Sequence, residues 1–327
     1  MSQSLPSDSK VALIKAQFNR LLSPHGIETR LAVLDVQETG LPSFSATFVH
    51  PKFRQEKLLV DELCDKLVNR VTSFCMTRED RRIAKTKDAE FDYETGATDA
   101  LNKRARKLFM EATKSSSRSG EGGELLLFIL AEEYLKAPLL VSKMRLKTNT
   151  QMPVHGGDGI HAGWDASAGA LVLYIGESKL HATLNSAIRD AMKSVAELAM
   201  SSGDRYHHEL NLAQTYSDLD GMPAEMQDEM LRYLDPWNTE ESTKRIDKYA
   251  ILIGFDEATY TGLAGTPRAK FEEKFKEQYS KTIRTTMEYA KKQLEVNSIS
   301  LESVDLFFFP IPSVEEFRKT FMSKLNA

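Results

Sequence analysis

The second half of this sequence predicts an α/β protein: a mixed sheet flanked by helices, preceded by an N-terminal α+β region. Three observations carry that expectation. From Glu124 a continuously apolar, helix-length block is followed by three strand-like segments, a helix and a further strand, the order of a layered α/β core. The run Ala170–Ile175 is short, rich in β-branched and aromatic residues, and bracketed by Gly156-Gly157-Asp158-Gly159 before it and Gly176-Glu177-Ser178-Lys179 after it, as a buried strand would be. The stretch Lys114–Gly123 has the composition of a linker, so residues 1–118 read as one region and 119–327 as another.

Taken in order, Lys10–Leu22 spaces Val11, Ile14, Phe18 and Leu21 helically and is stopped by Pro24 and Gly26. Leu31–Val36 and Phe44–Val49 read as strands around the turn signal Thr39-Gly40-Leu41-Pro42. Glu56–Cys75 reads as one long amphipathic helix, Met76–Gly96 as a charged loop, and Asp99–Thr113 as a basic helix. Glu124–Leu135 is apolar on most sides and therefore a buried helix, ended by Pro138. Leu139–Lys147 alternates like a strand, with Lys143, Arg145 and Lys147 on one face. After the central hairpin, whose return turn is expected around Asp165-Ala166-Ser167, come a helix over Leu180–Ser201, a short helix over Met222–Leu234 and a strand over Lys248–Phe255. A long charged helix over Lys270–Val296, a strand over Val304–Phe309 and a closing helix over Ser313–Lys324 complete the chain.

Bulk properties exclude several classes. At 327 residues the chain stands where one core begins to split, so one large domain and two smaller ones are both open. No apolar run approaches the roughly 20 residues that cross a bilayer, and Met1–Ser9 is polar, so a cytoplasmic protein without membrane association is expected. Two cysteines, Cys64 and Cys75, lack metal-ligand spacing and read as reduced core thiols. A net charge of −4 does not announce a nucleic-acid binder, although the runs Arg78, Arg81, Arg82, Lys85, Lys87 and Lys103, Arg104, Arg106, Lys107 are local basic stripes. Each stripe reads first as a solvated helix face interleaved with acids.

The chemistry concentrates on the bracketed strand. Side chains alternate, so Glu177 and Lys179 share one face and Ser178 takes the other. An antiparallel hairpin brings Asp158 beside Glu177. Two carboxylates and a lysine at one strand end suit a hard divalent cation, Mg²⁺ or Mn²⁺, held against a phosphodiester, with Lys179 acting on the attacking water and the developing charge. The carbonyl of Ser178 is a further oxygen donor, and Glu124, at the start of the buried helix, is the third acid. Each residue also has a plain structural reading: a turn aspartate, a solvated strand end, a helix-start acid. It is their order along the chain that favours a metal site. His155, His161 and His181 lie near these residues and read as surface or hydrogen-bonded histidines, and His207-His208 as a loop pair. DNA phosphates could be met by Lys143, Arg145 and Lys147, and by Arg189 and Lys193 on the helix that follows the site.

The order Glu124, Asp158, Glu177-Ser178-Lys179 resembles the PD-(D/E)XK nuclease superfamily, with Gly-Asp here in place of Pro-Asp. More closely, Gly123-Glu124-Leu125-Leu126-Leu127, Ser142–Thr148, Gly157-Asp158-Gly159 and Gly176-Glu177-Ser178-Lys179-Leu180 are similar to the HamA family. So are Ser217-Asp218-Leu219-Asp220-Gly221 and Tyr233-Leu234-Asp235-Pro236. The resemblance is dense from about Gly120 to Phe255 and thin before it. It implies a restriction-endonuclease-like core and a metal-dependent DNA endonuclease. It further implies an effector of the Hachiman anti-phage system that works with, and is restrained by, a superfamily 2 helicase, HamB. Two alternatives stay open: a catalytically silent nuclease-like module that docks DNA or a helicase, and a sequence-specific restriction-type endonuclease. The N-terminal region is expected to dock a partner or guide DNA.

Overall fold

A computed structural model describes residues 7–34, 42–54, 57–92, 94–114, 120–146, 157–200, 204–238, 240, 244–263 and 265–327. Gly156, His155 and Lys147 lie outside the described residues, as does the side chain of Lys143.

The core begins with α6 (Glu121–Tyr134), preceded in the chain by α1 (Ser7–Leu21), α2 (Val60–Val68), α3 (Val71–Cys75), α4 (Arg78–Glu90) and α5 (Gly96–Lys114). Leu125 to Ala131 are all buried, which is why that block carries no polar face. It is followed by β5 (Leu139–Ser142), the short helix α7 (Lys143–Leu146), β6 (Gly159–Asp165), β7 (Ala170–His181), α8 (Leu184–Met200), α9 (Asp204–Tyr216), α10 (Ala224–Leu234) and β8 (Arg245–Asp256). The chain then continues through α11 (Phe271–Val296), β9 (Val304–Ile311) and α12 (Val314–Asn326).

One mixed sheet of seven strands runs β1-β2-β9-β8-β7-β6-β5, where β1 is Leu31–Val33 and β2 is Ser45–Pro51, and β3 (Phe53–Arg54) and β4 (Lys57–Leu58) form a separate antiparallel pair. β7, β8, β9 and β2 are parallel neighbours; β6 and β5 extend the sheet antiparallel on one side and β1 on the other. The two faces carry different helices. Val172, Tyr174, Leu180, Leu252, Phe307 and Phe309 pack with α2, α3, α5, α6 and α12. Ile251, Ile253, Leu306 and Phe308 pack with α8 and α11, and Leu171 and Leu173 with α1, α9 and α10. The run Phe307-Phe308-Phe309 thus feeds both faces by strand alternation alone.

Several elements depart from the sequence pattern. Met76–Gly96 is not a loop: it holds α4, whose start is fixed by a capping box in which the Thr77 hydroxyl accepts from Asp80 N and the Asp80 carboxylate accepts from Thr77 N. The single helix expected over Glu56–Cys75 is two, α2 and α3. Lys143–Leu146 is helical rather than extended, because β5 ends at Ser142, opposite Gly159. His207 and His208 lie within α9. Nor do the residues before the linker-like stretch form a separate layer: β2 pairs with β9 from Ser45 against Asp305 to Phe48 against Phe308, so the sheet crosses the expected boundary. Gly122 and Gly123, which read as linker, are in the first turn of α6 because the helix is pressed onto its neighbours there. A Cβ on Gly123 would lie 2.5 Å from Leu180 Cδ1 and 3.2 Å from Ser178 Oγ.

Two buried histidines set an acid limit on stability. Burial holds His161 down at about 4, although its Nδ1 is 3.0 Å from Ala137 O, and burial likewise holds His50 at about 4. Both are neutral in the fold, while the unfolded chain protonates them near 6.5. Their contribution is therefore complete above about pH 6.5 and is lost as pH falls towards 4, at about 1.4 kcal/mol per pH unit for each. Urea unfolding between pH 7 and 4.5 should show this slope, and His50→Gln/His161→Gln should flatten it. Equal stability of the wild type at pH 7 and pH 5 would contradict the burial.

Candidate metal and phosphodiester site

β7 outruns β6. The pairing of the two strands begins with Gly159 opposite Gly176, so residues beyond Gly176 have no strand partner on that edge, while β8 continues to cover the other from Glu177 opposite Ile251 to His181 opposite Phe255. Asp158 fills the start of that notch. Its N–H donates to Gly176 O at 2.7 Å, and its Oδ2 accepts from Ser178 N at 2.8 Å and Ser178 Oγ at 2.9 Å. The glycine before it is required by close approach: a Cβ on Gly157 would collide with Ile175 Cγ2 and stand 2.9 Å from Gly176 O. A residue's N–H and C=O leave a strand towards the same edge. The carbonyl of Ser178 thus looks to the side on which its N–H meets Asp158.

Glu177 and Lys179 share the face covered by α8. Glu177 is 4% exposed, and Lys179 Nζ donates to its Oε1. Burial, then the charge of Asp158, push the Glu177 carboxyl well above the usual carboxylate range, against the pull of Lys179 and the Ser194 hydroxyl. Burial works against the Lys179 ammonium, but Glu177, Asp158 and Asp190 outweigh it and hold its pKa above the ordinary value. His181, next on the same face, places Nε2 3.3 Å from Asp190 Oδ2.

Asp158, Glu177, Ser178 and Lys179 are thus brought together, with Asp158 and Ser178 joined by two hydrogen bonds. Glu124 is carried by α6, whose first turn lies against Ser178, the residue that donates to Asp158; among the described residues no three His, Cys, Asp or Glu side chains form a group able to hold a metal ion. Of the residues expected to meet DNA, Arg189 and Lys193 are exposed on α8. Arg145 is turned inward, its Nη1 3.2 Å from Asp218 Oδ2 and its Nη2 donating to Met76 O at 3.0 Å, because it lies on a helical turn and not on an edge strand. Sequence reasoning missed Asp190 and Ser194. They stand four apart on one face of α8, a readable spacing, but which strand that face meets is settled by the sheet.

The donor set fits a hard cation. Two carboxylates face one ammonium, leaving an excess of negative charge at a largely buried point, and every donor is oxygen. Mg²⁺ is commonly held by only one or two carboxylates, with waters and substrate phosphate completing its shell, so a two-acid site suits it and a third protein acid is not needed.

The family model for HamA matches residues 30–325, nearly the whole chain. No curated protein matches it. Among the described residues no helix is long and apolar enough to cross a membrane.

Proposed function

The chain belongs to the HamA family and is a component of Hachiman anti-phage defence, and from that premise we propose that it is the system's metal-dependent DNA nuclease, held in check by a partner helicase. The observation that carries the nuclease reading is the meeting of Asp158, Glu177 and Lys179 at the overhanging end of β7, with Glu177 buried and its carboxyl raised beside Asp158.

In this reading Asp158, Glu177 and the Ser178 carbonyl hold Mg²⁺ or Mn²⁺. The ion, when bound, supplies Lewis-acid stabilisation of phosphate charge and a more acidic water. Ser178 fixes the Asp158 carboxylate through its N–H and hydroxyl, so that the second oxygen, Oδ1, is left for the ion. The ammonium of Lys179, anchored by Glu177 and drawn by Asp190, lies where it can hold the attacking water and neutralise charge on the non-bridging oxygens. Arg189 and Lys193 stand on the outer side of the same α8 and contribute non-specific phosphate contacts.

Purified protein, freed of any partner, is expected to cut double- or single-stranded DNA in Mg²⁺ or Mn²⁺ and to stop in EDTA. Undiminished cutting in excess chelator would overturn the metal assignment.

A further inference from the structure

The basic run at the start of α4 does more in the fold than cover a helix with solvated charge. Arg78, Arg81, Arg82 and Lys85 recur at helical spacing and so share one face of α4. That face meets the end of α1 and the segment after it. Together they line a groove of about 590 Å³ whose lining includes Arg20, Arg81, Arg82 and Lys85 with Leu22, Pro24 and the largely buried Arg78.

The groove's charge is not balanced from within. Arg78 is committed to the interior: it donates to Leu21 O, Leu139 O and Asp218 O, and pairs with Asp218 Oδ2 at 3.1 Å. Arg81, half-buried, donates among the described residues to neutral oxygens, Thr77 O and Ser73 Oγ, both at 3.4 Å, with the buried Asp218 and Glu132 attracting it from behind. Arg82 meets Asp220 at 3.2 Å and Glu79 at 3.8 Å, but its own side chain is exposed, and such weak solvent-facing pairs yield readily to a better anion. Among the described residues the lining includes no carboxylate and no aromatic ring. Cations without rings suit a sugar–phosphate backbone and offer nothing on which bases could stack. The groove also flanks β5, through Arg78 and Leu139 O, and β5 is two strands from β7 in the sheet.

We propose that the groove between the end of α1 and α4 is a sequence-independent binding site for the phosphate backbone of the DNA presented to the β7 site, gripped by Arg20, Arg81, Arg82 and Lys85. The inference rests on the nuclease reading for its substrate, but not for its measurement.

The test uses the full chain carrying Glu177→Ala, in Ca²⁺ and again in EDTA, with a labelled 30-base-pair duplex of arbitrary sequence. Arg20→Glu/Arg82→Glu/Lys85→Glu should weaken binding at least tenfold. It should also lower the slope of log affinity against log salt by about 2 to 3, since each phosphate contact contributes roughly 0.9. The neutral set Arg20→Gln/Arg82→Gln/Lys85→Gln should give the same direction with a smaller loss, which separates binding from misfolding. Lys276→Glu/Lys281→Glu/Lys291→Glu, three solvent-accessible charges on α11 each paired with a glutamate of the same helix, should change affinity less than threefold. Groove variants that bind DNA with wild-type affinity and salt slope would overturn the proposal. So would an equal loss in the α11 variant, which would mean that only net charge matters. Retained DNA binding with lost binding of a polyglutamate peptide would assign the groove to an acidic protein instead. If the wild type cuts no DNA yet the groove variants lose duplex binding, the nuclease reading fails and the groove stands.

Discussion

Lys179→Ala is expected to lower single-turnover DNA cleavage by at least about 10²-fold, the scale on which losing a pre-organised charge stabiliser is felt, while Mg²⁺ affinity stays near normal or rises slightly. The sign follows from the site. Lys179 touches Glu177 and is attracted by Asp158 and Asp190, so its removal leaves two carboxylates facing each other without their nearest cation. A divalent ion then meets less competing positive charge. Glu177→Ala should behave differently, with metal binding and cleavage lost together, and with Lys179 still held by Asp158 and Asp190. Duplex binding in Ca²⁺ should fall little in Lys179→Ala, because one phosphate contact among many is removed. Lys179→Arg keeps a cation and should recover part of the rate. Calorimetric metal titration beside single-turnover cleavage decides the matter. A Lys179→Ala protein that cuts at the wild-type rate would reduce the Glu-Ser-Lys strand end to an ordinary ion pair.

Asp218→Ala is expected to cost about 3–5 kcal/mol of folding stability, the range for breaking a buried ion cluster by removing one member. The Asp218 side chain is 2% exposed and lies 3.1 Å from Arg78 Nη1 and 3.2 Å from Arg145 Nη1, and it also accepts from Arg78 N at 2.8 Å. Burial already holds Arg145 down at about 10 despite Asp218, so the cluster has little charge to spare. Its neighbour Glu132, 2% exposed, accepts from Ser23 N, Leu139 N and His25 Nε2, so the two acids together stitch the end of α1, the start of α4 and β5 into one body. Asp218→Asn keeps an acceptor for Arg78 N and should recover part of the loss. By contrast, Glu111→Ala removes an exposed pair with Lys107 at 3.9 Å and should change stability by less than about 0.5 kcal/mol. A urea-derived loss below about 1 kcal/mol for Asp218→Ala would show the cluster to be dispensable.

What the sequence by itself determined is local. Period and punctuation set α6, α10, α11, β9 and α12 to within a few residues, because each has an apolar stripe or run with a glycine, proline or cap beside it, whereas β7, expected over Ala170–Ile175, runs on to His181 and α8 starts at Leu184 instead of Leu180. The hairpin turn fell where Asp165-Ala166-Ser167 placed it, since the Asp165 carboxylate accepts from Ser167 N and Ala168 N. Hairpin geometry and strand alternation also put Asp158 beside Glu177 and Glu177 with Lys179 on one face. Those are near-neighbour relations, fixed by backbone stereochemistry. Only the tertiary structure decided the rest. The pattern of β2 is that of any short strand, and its pairing with β9 joins residues far apart in the chain, a choice made by packing over the whole sheet. Lys143–Leu146 alternates like a strand and coils into a helix because β5 stops opposite Gly159. Arg145 looks like a phosphate-seeking arginine until Asp218, in a distant segment, captures it. Glu124 sits on a helix across the sheet from α8, and a one-dimensional order cannot say which face of a strand a helix will cover. Asp190 and Ser194 join the site for the same reason: the sheet presents β7 to them.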